Sequence, residues 1–150
     1  MIRASNPISR DAPSDLNRFT RAQEGIYDRA LAELRSGKKR THWMWFIFPQ
    51  IDGLGHSPTA KTYAIKNLEE ARRYLNHPVL GPRLLECAAA VLSIEGRSVS
   101  EIFGYPDDLK LKSSMTLFAR VAEPDSIFVK VLDKYYDGER DVRTRRLLEN

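Results

Sequence analysis

The residue types able to do chemistry gather in two stretches. In the first, His42, Trp43, Trp45, Gln50, Ser57 and Tyr63 fall within residues 41–65, where Asp52 and Lys61 are the only charged side chains. A chain with 29% charged residues would place about seven charges in 25 positions. Aromatic side chains beside a few polar groups are what small-molecule pockets are made of. On that basis Trp43 and Trp45 wall a pocket, and Gln50, Ser57 and Tyr63 orient a ligand. His42 is then the candidate general acid–base, imidazole being the side chain that titrates nearest neutrality. The competing view is that Trp43, Trp45, Phe46 and Phe48 pack a core while the loop with Gly53 and Gly55 turns the chain.

The second stretch runs from Asp107 to Phe118 (DDLKLKSSMTLF) and brings two cations and two hydroxyls together in Lys110, Lys112, Ser113 and Ser114. Lys112 with Ser113 and Ser114 would hold a phosphate, and a helix capped by Ser113 would add free backbone N–H groups. The plainer alternative is a solvated lysine pair beside an ordinary cap. One pocket requires the two stretches to meet in the fold; Trp45 and Ser113 on opposite sides would end that idea.

Familiar catalytic patterns are not met. His42, His56 and His77 are widely spaced and join no Cys/His cluster, so no transition-metal site is expected, and no cofactor is implied. Gly53-Leu54-Gly55 starts like a dinucleotide fingerprint but has Pro58 at the third glycine position. Gly55–Thr59 lacks the second glycine of a nucleophile elbow. Ser36–Lys39 matches S-x-x-K without its partner motifs, and there is no P-loop. His77 before Pro78 reads as a cap or a packed residue, and Arg140, Arg143 and Arg146 as a solvated row. Cys87, without a basic neighbour, reads as a packed thiol.

The elements that must position these residues are helical. Leu16, Phe19, Ile26, Ala30 and Leu34 recur at three-to-four spacing, predicting one helix from an N-cap at Ser14 to a stop at Gly37. A short helix or turn is expected before Pro49, and a helix opened by Ser57-Pro58 through Ile65. Asn67 caps the next helix, which His77-Pro78 breaks. Further helices are expected from Leu80, over 98–103, over 125–136 and from Asp141. The stretch 107–121 is ambiguous, because Leu109 and Leu111 alternate like a strand while Leu111, Met115 and Phe118 space like a helix. The expected fold is all-α, a compact multihelical domain of about seven helices over 14–150, preceded by a flexible arm over 1–13.

Composition bounds the rest. The chain has 150 residues, a net charge of +4 and 42% hydrophobic residues, an ordinary globular mix. The basic excess sits in the first half, 13 basic against 8 acidic residues up to Leu75, and is too modest for a nucleic-acid footprint. The longest apolar runs, Trp43–Phe48 and Cys87–Leu92, fall far short of the ~20 residues that span a bilayer. With Cys87 the single cysteine and no signal-peptide pattern at the start, a cytoplasmic location is expected.

The same stretches carry a resemblance. His42–Gln50 (HWMWFIFPQ), Gly53-Leu54-Gly55, Ser57, Tyr63-Ala64-Ile65, Ala71, Tyr74-Leu75, His77-Pro78 and Leu80-Gly81 resemble the family called domain of unknown function 1810. Lys112–Phe118 and Tyr135–Asp141 resemble its later signatures, so the likeness spans Leu16 to Leu148. It implies a small all-helical protein of a bacterial or fungal family, some members of which carry the label calpastatin, and brings no catalytic residues. Pro58-Thr59, Tyr63 and Lys66 bear a fainter likeness to the NADAR group, which processes ADP-ribose; the acidic residue expected before the tyrosine is absent.

The function these observations favour is binding or processing of an anionic small molecule, such as a nucleotide or ADP-ribose derivative. The alternative is a non-enzymatic interaction or homodimerisation module built on the aromatic segment.

Overall fold

The computed structural model describes residues 15–149, and every regular element among them is a helix. In chain order these are α1 (Asn17–Gln23), α2 (Tyr27–Arg35), α3 (Met44–Ile47), α4 (Pro58–Thr62), α5 (Leu68–Asn76), α6 (Leu80–Ser93), α7 (Val99–Phe103), α8 (Asp107–Ala119), α9 (Ile127–Tyr136) and α10 (Val142–Leu148). The described residues thus form ten helices rather than about seven, of which α3, α4 and α7 are turns of four or five residues. The arm 1–13 and the expected cap Ser14 lie outside the described residues.

The helix expected from Ser14 to Arg35 is two helices. Gly25 takes a φ of +71°, the left-handed conformation that glycine adopts without steric cost, and α2 restarts after it. Ser57 and Pro58 open α4 as their types dictate, Ser57 Oγ accepting the Ala60 N–H. That helix ends at Thr62 rather than Ile65, because Ile51 and Ile65 form a parallel bridge. Asp52 N–H donates to the Ile65 carbonyl and Ile65 N–H to the Gln50 carbonyl, both at 2.8 Å, which fixes the loop carrying Gln50.

Local caps set several other boundaries. Asn67 accepts from Glu70 N–H at the start of α5, and Ser98 with Glu101 forms a capping box on α7. His77 Nδ1 accepts from the N–H groups of Val79 and Leu80, so this imidazole opens α6.

The ambiguous stretch from Asp107 is the helix α8. Leu111 and residues 113–118 are all buried in it, with α5, α7, α9 and α10 packed around it. A helix covered on most sides has no polar face and so no clean 3.6-residue stripe. The core holds Phe19, Trp43, Phe48, Tyr74, Phe118 and Phe128 at full burial. Its centre is a run of ring contacts, Phe19–Tyr74–Phe118–Phe128, with centroids 5.0, 5.4 and 5.7 Å apart, tying α1, α5, α8 and α9 together. No helix among the described residues is long and apolar enough to cross a membrane.

Candidate functional site

A buried carboxylate fixes the segment after α2. Glu33 accepts from the N–H groups of Arg40 and Thr41, the Thr41 hydroxyl and the Trp43 indole N–H, at 2.6 to 3.1 Å. Burial pushes its pKa up, but the Thr41 hydroxyl and the three N–H donors outweigh that and hold it at about 2. Lys39 Nζ lies 4.9 Å from the Trp43 ring centroid and pairs with Asp107 at 2.8 Å, joining this segment to the start of α8.

Trp43 is therefore core. It is fully buried with its N–H bonded to Glu33, and the expected pocket wall is reduced to Trp45. Trp45 is only partly buried, and Lys110 Nζ stands 5.2 Å from its ring centroid.

The two chemical stretches do meet. Gln50, Leu54 and Gly55 face Pro106, Leu109, Lys110 and Ser113 of the α8 end across a cleft of about 330 Å³, which Asp141 and Arg143 close from the start of α10. Beside it, Trp45, Gln50, Gly55 and Tyr63 border a crevice of about 10 Å³, room for roughly one water. Tyr63 is held there by ring contacts with Phe19 and Phe46.

The expected phosphate trio is not what the cleft presents. Successive helical residues turn by about 100°, so Lys112 points roughly 200° away from Lys110. It pairs with Glu139 at 3.4 Å beside the Tyr136 ring. Ser113 lies mid-helix rather than at a cap, and its hydroxyl donates to the Leu109 carbonyl at 3.2 Å. Ser114 is fully buried, and its Oγ has no hydrogen-bond partner among the described residues. Ser57 is exposed with its Oγ engaged as the α4 cap, and His42 is exposed; neither lines the cleft.

Two further residues line the cleft from the start of α10. Arg143 belongs to the arginine row, which is exposed at all three positions as expected, and it has no ion-pair partner among the described residues. Asp141 Oδ2 accepts from Thr144 N–H and Oγ1, while its own N–H donates to Thr116 Oγ1 at 2.9 Å, pinning α10 to α8. Lys110 is 3.6 Å from Asp107, whose carboxylate it shares with Lys39. The lining thus combines two cations, one carboxylate, an amide, a hydroxyl and the apolar side chains of Leu54, Pro106 and Leu109.

Elsewhere the single cysteine is closed off in the core. Burial pushes the Cys87 thiol up to about 12. Among the described residues no three His, Cys, Asp or Glu side chains stand together as metal ligands.

Comparison with known proteins places the chain among uncharacterised relatives. None of the curated proteins matches the sequence. It is 56% identical to the conserved hypothetical protein Rv1873 from Mycobacterium tuberculosis, and the match to that crystal structure covers 92% of this chain and 99% of that one with a TM-score of 0.90. The model of a family described as protein of unknown function (DUF1810) matches residues 13–148, and the chain belongs to that family.

Proposed function

We propose that the cleft between the 50–55 loop, α8 and α10 binds an anionic small molecule, with nucleotides and ADP-ribose derivatives as the classes to test. The observation that carries this is the convergence of Lys110, Arg143, Gln50 and Ser113 on one cleft with Trp45 beside it. Lys110 and Arg143 supply the attraction, and Gln50 and Ser113 the directional contacts. His42, outside the lining, is assigned no part, so the proposal is of binding.

A melting-temperature titration of the purified protein with inorganic phosphate, ADP, ADP-ribose and NAD tests it. A ligand at a hundred times its Kd stabilises the folded state by about 2.7 kcal/mol, so a saturable rise is expected for at least one of the four. Lys110→Ala and Arg143→Ala should each weaken that ligand about ten-fold, the worth of a charged hydrogen bond, while Lys112→Ala leaves it unchanged. No shift at millimolar concentration of any of the four would sink the proposal.

A second proposal, an interaction or homo-oligomerisation face, is favoured by exposed apolar side chains in the cleft lining and next to it in the chain. Tyr105, Leu109 and Val142 are 83%, 51% and 52% exposed. A sedimentation coefficient that rises with protein concentration, and falls back in Leu109→Asp, would support it over ligand binding.

A further inference from the structure

We propose that the ligand of this cleft carries hydroxyl groups as well as a phosphate, making it a phosphorylated sugar rather than a bare anion. This rests on the anion-binding reading of the same cleft and narrows its ligand class.

The lining holds more acceptors than a simple anion can use. Asp141 places a carboxylate in a cleft that Lys110 and Arg143 make attractive to anions. Oδ2 of that carboxylate is engaged by Thr144, leaving its other oxygen without a partner among the described residues. A carboxylate only accepts hydrogen bonds, so this group repels a bare phosphate and calls for O–H or N–H donors on the ligand. Ser113, which also lines the cleft, gives its proton to the Leu109 carbonyl, so its oxygen is left as an acceptor rather than a donor. Gln50 offers both a donor and an acceptor. Leu54, Pro106 and Leu109 give carbon atoms a surface to lie on, and about 330 Å³ exceeds what a phosphate ion fills. Cations for the phosphate, acceptors for hydroxyls and an apolar floor for the carbon skeleton together describe a sugar phosphate.

Calorimetric titration of the full chain with ribose 5-phosphate and with n-butyl phosphate tests this. The two probes share the phosphate group, and only the first brings hydroxyls. Ribose 5-phosphate should bind at least ten-fold more tightly, the worth of two hydrogen bonds at about five-fold each. Asp141→Asn keeps a side-chain oxygen for the α10 cap, since Asn and Asp cap helices about equally well. It should weaken ribose 5-phosphate and tighten n-butyl phosphate, shrinking the preference from both sides. Ser113→Ala, which changes no charge, should weaken ribose 5-phosphate about five-fold and leave n-butyl phosphate within two-fold. Equal affinity of the two probes for the native chain, or a preference that survives Asp141→Asn, would overturn the sugar assignment while leaving anion binding standing. Binding of neither probe would also overturn the sugar assignment, and the melting-temperature titration with the four anions then decides whether anion binding stands.

Discussion

Glu33 accepts four hydrogen bonds from Arg40, Thr41 and Trp43, three sharing Oε1 and the Thr41 hydroxyl on Oε2, as many donors as the roughly four lone-pair sites of a carboxylate. Together with the Lys39 N–H bond to the Ile102 carbonyl and the Lys39–Asp107 pair, these bonds hold the chain after α2 on the core and seat the indole of Trp43. Because its folded pKa lies near 2, below the ordinary 4.5, the ionised form favours folding. That contribution, on the order of 3 kcal/mol, is complete above pH 4.5 and is lost as the pH falls towards 2. Glu33→Gln, which replaces an acceptor oxygen by an N–H2 facing donors, should lower stability at pH 7 by about 3 kcal/mol. In urea unfolding followed by tryptophan fluorescence, the gap between native and variant should shrink steadily from pH 5 to pH 2.5. A gap independent of pH would show that the carboxylate is not the origin of the stability. The signal for Glu33 was present in the sequence: at three residues from Ala30 and one from Leu34 it falls on the buried stripe of its helix, where an unpaired acid would be costly. What could not be read was its partners, which lie beyond the end of that helix.

At the scale of elements, the caps were legible and the facings were not. Ser57, Asn67, Ser98 and Asp141 each cap a helix within three residues of themselves, so local sequence determines them. Which side of α8 meets the 50–55 loop depends on α5, α7, α9 and α10 packing around it, and that choice turns Lys110 rather than Lys112 to the cleft. Gly25 ends α1 for a reason the hydrophobic spacing hides, because Ile26 and Ala30 continue the stripe across the break. The two glycines of the loop differ in kind. Gly53 has a φ of +107°, the flexibility expected of it, whereas Gly55 is needed for space: a Cβ there would lie 2.6 Å from Ala60 Cβ. Gly55→Ala should therefore cost about 1–3 kcal/mol in a chemical denaturation series and weaken whatever ligand the cleft holds. Ala60→Gly removes the opposing methyl, and the double variant should recover most of the loss, less the ~1 kcal/mol that glycine costs within a helix. Additive effects of the two substitutions would show that this contact is not what the glycine serves.

Across the whole molecule, the all-helical class follows from spacing and caps, but the position of the cleft follows from long-range ties that no single element announces. Arg18 donates to the carbonyls of Thr62 and Ala64 and pairs with the buried Glu70 at 3.1 Å, clamping α1 to the α4–α5 connection. At the opposite end of the sequence, Lys134 and Tyr135 on α9 bond to carbonyls at the end of α6. Cys87 sits on α6 in the same continuous core, and no residue of the cleft lies on that helix. A thiol raised to about 12 by burial is almost wholly protonated at pH 8, and the core keeps reagent from reaching it. Labelling by a thiol-reactive disulfide at pH 8 should thus proceed only through unfolding, at a rate set by the opening of the domain rather than by thiol chemistry. If the cleft binds the sugar phosphate assigned to it, saturating ribose 5-phosphate should slow this labelling although it touches nothing on α6, because it stabilises the folded state as a whole. Labelling of the native chain as fast as a free cysteine would refute the sealed core. Ligand-independent labelling alongside a ligand-dependent melting temperature would instead show that α6 opens by itself, without the cleft.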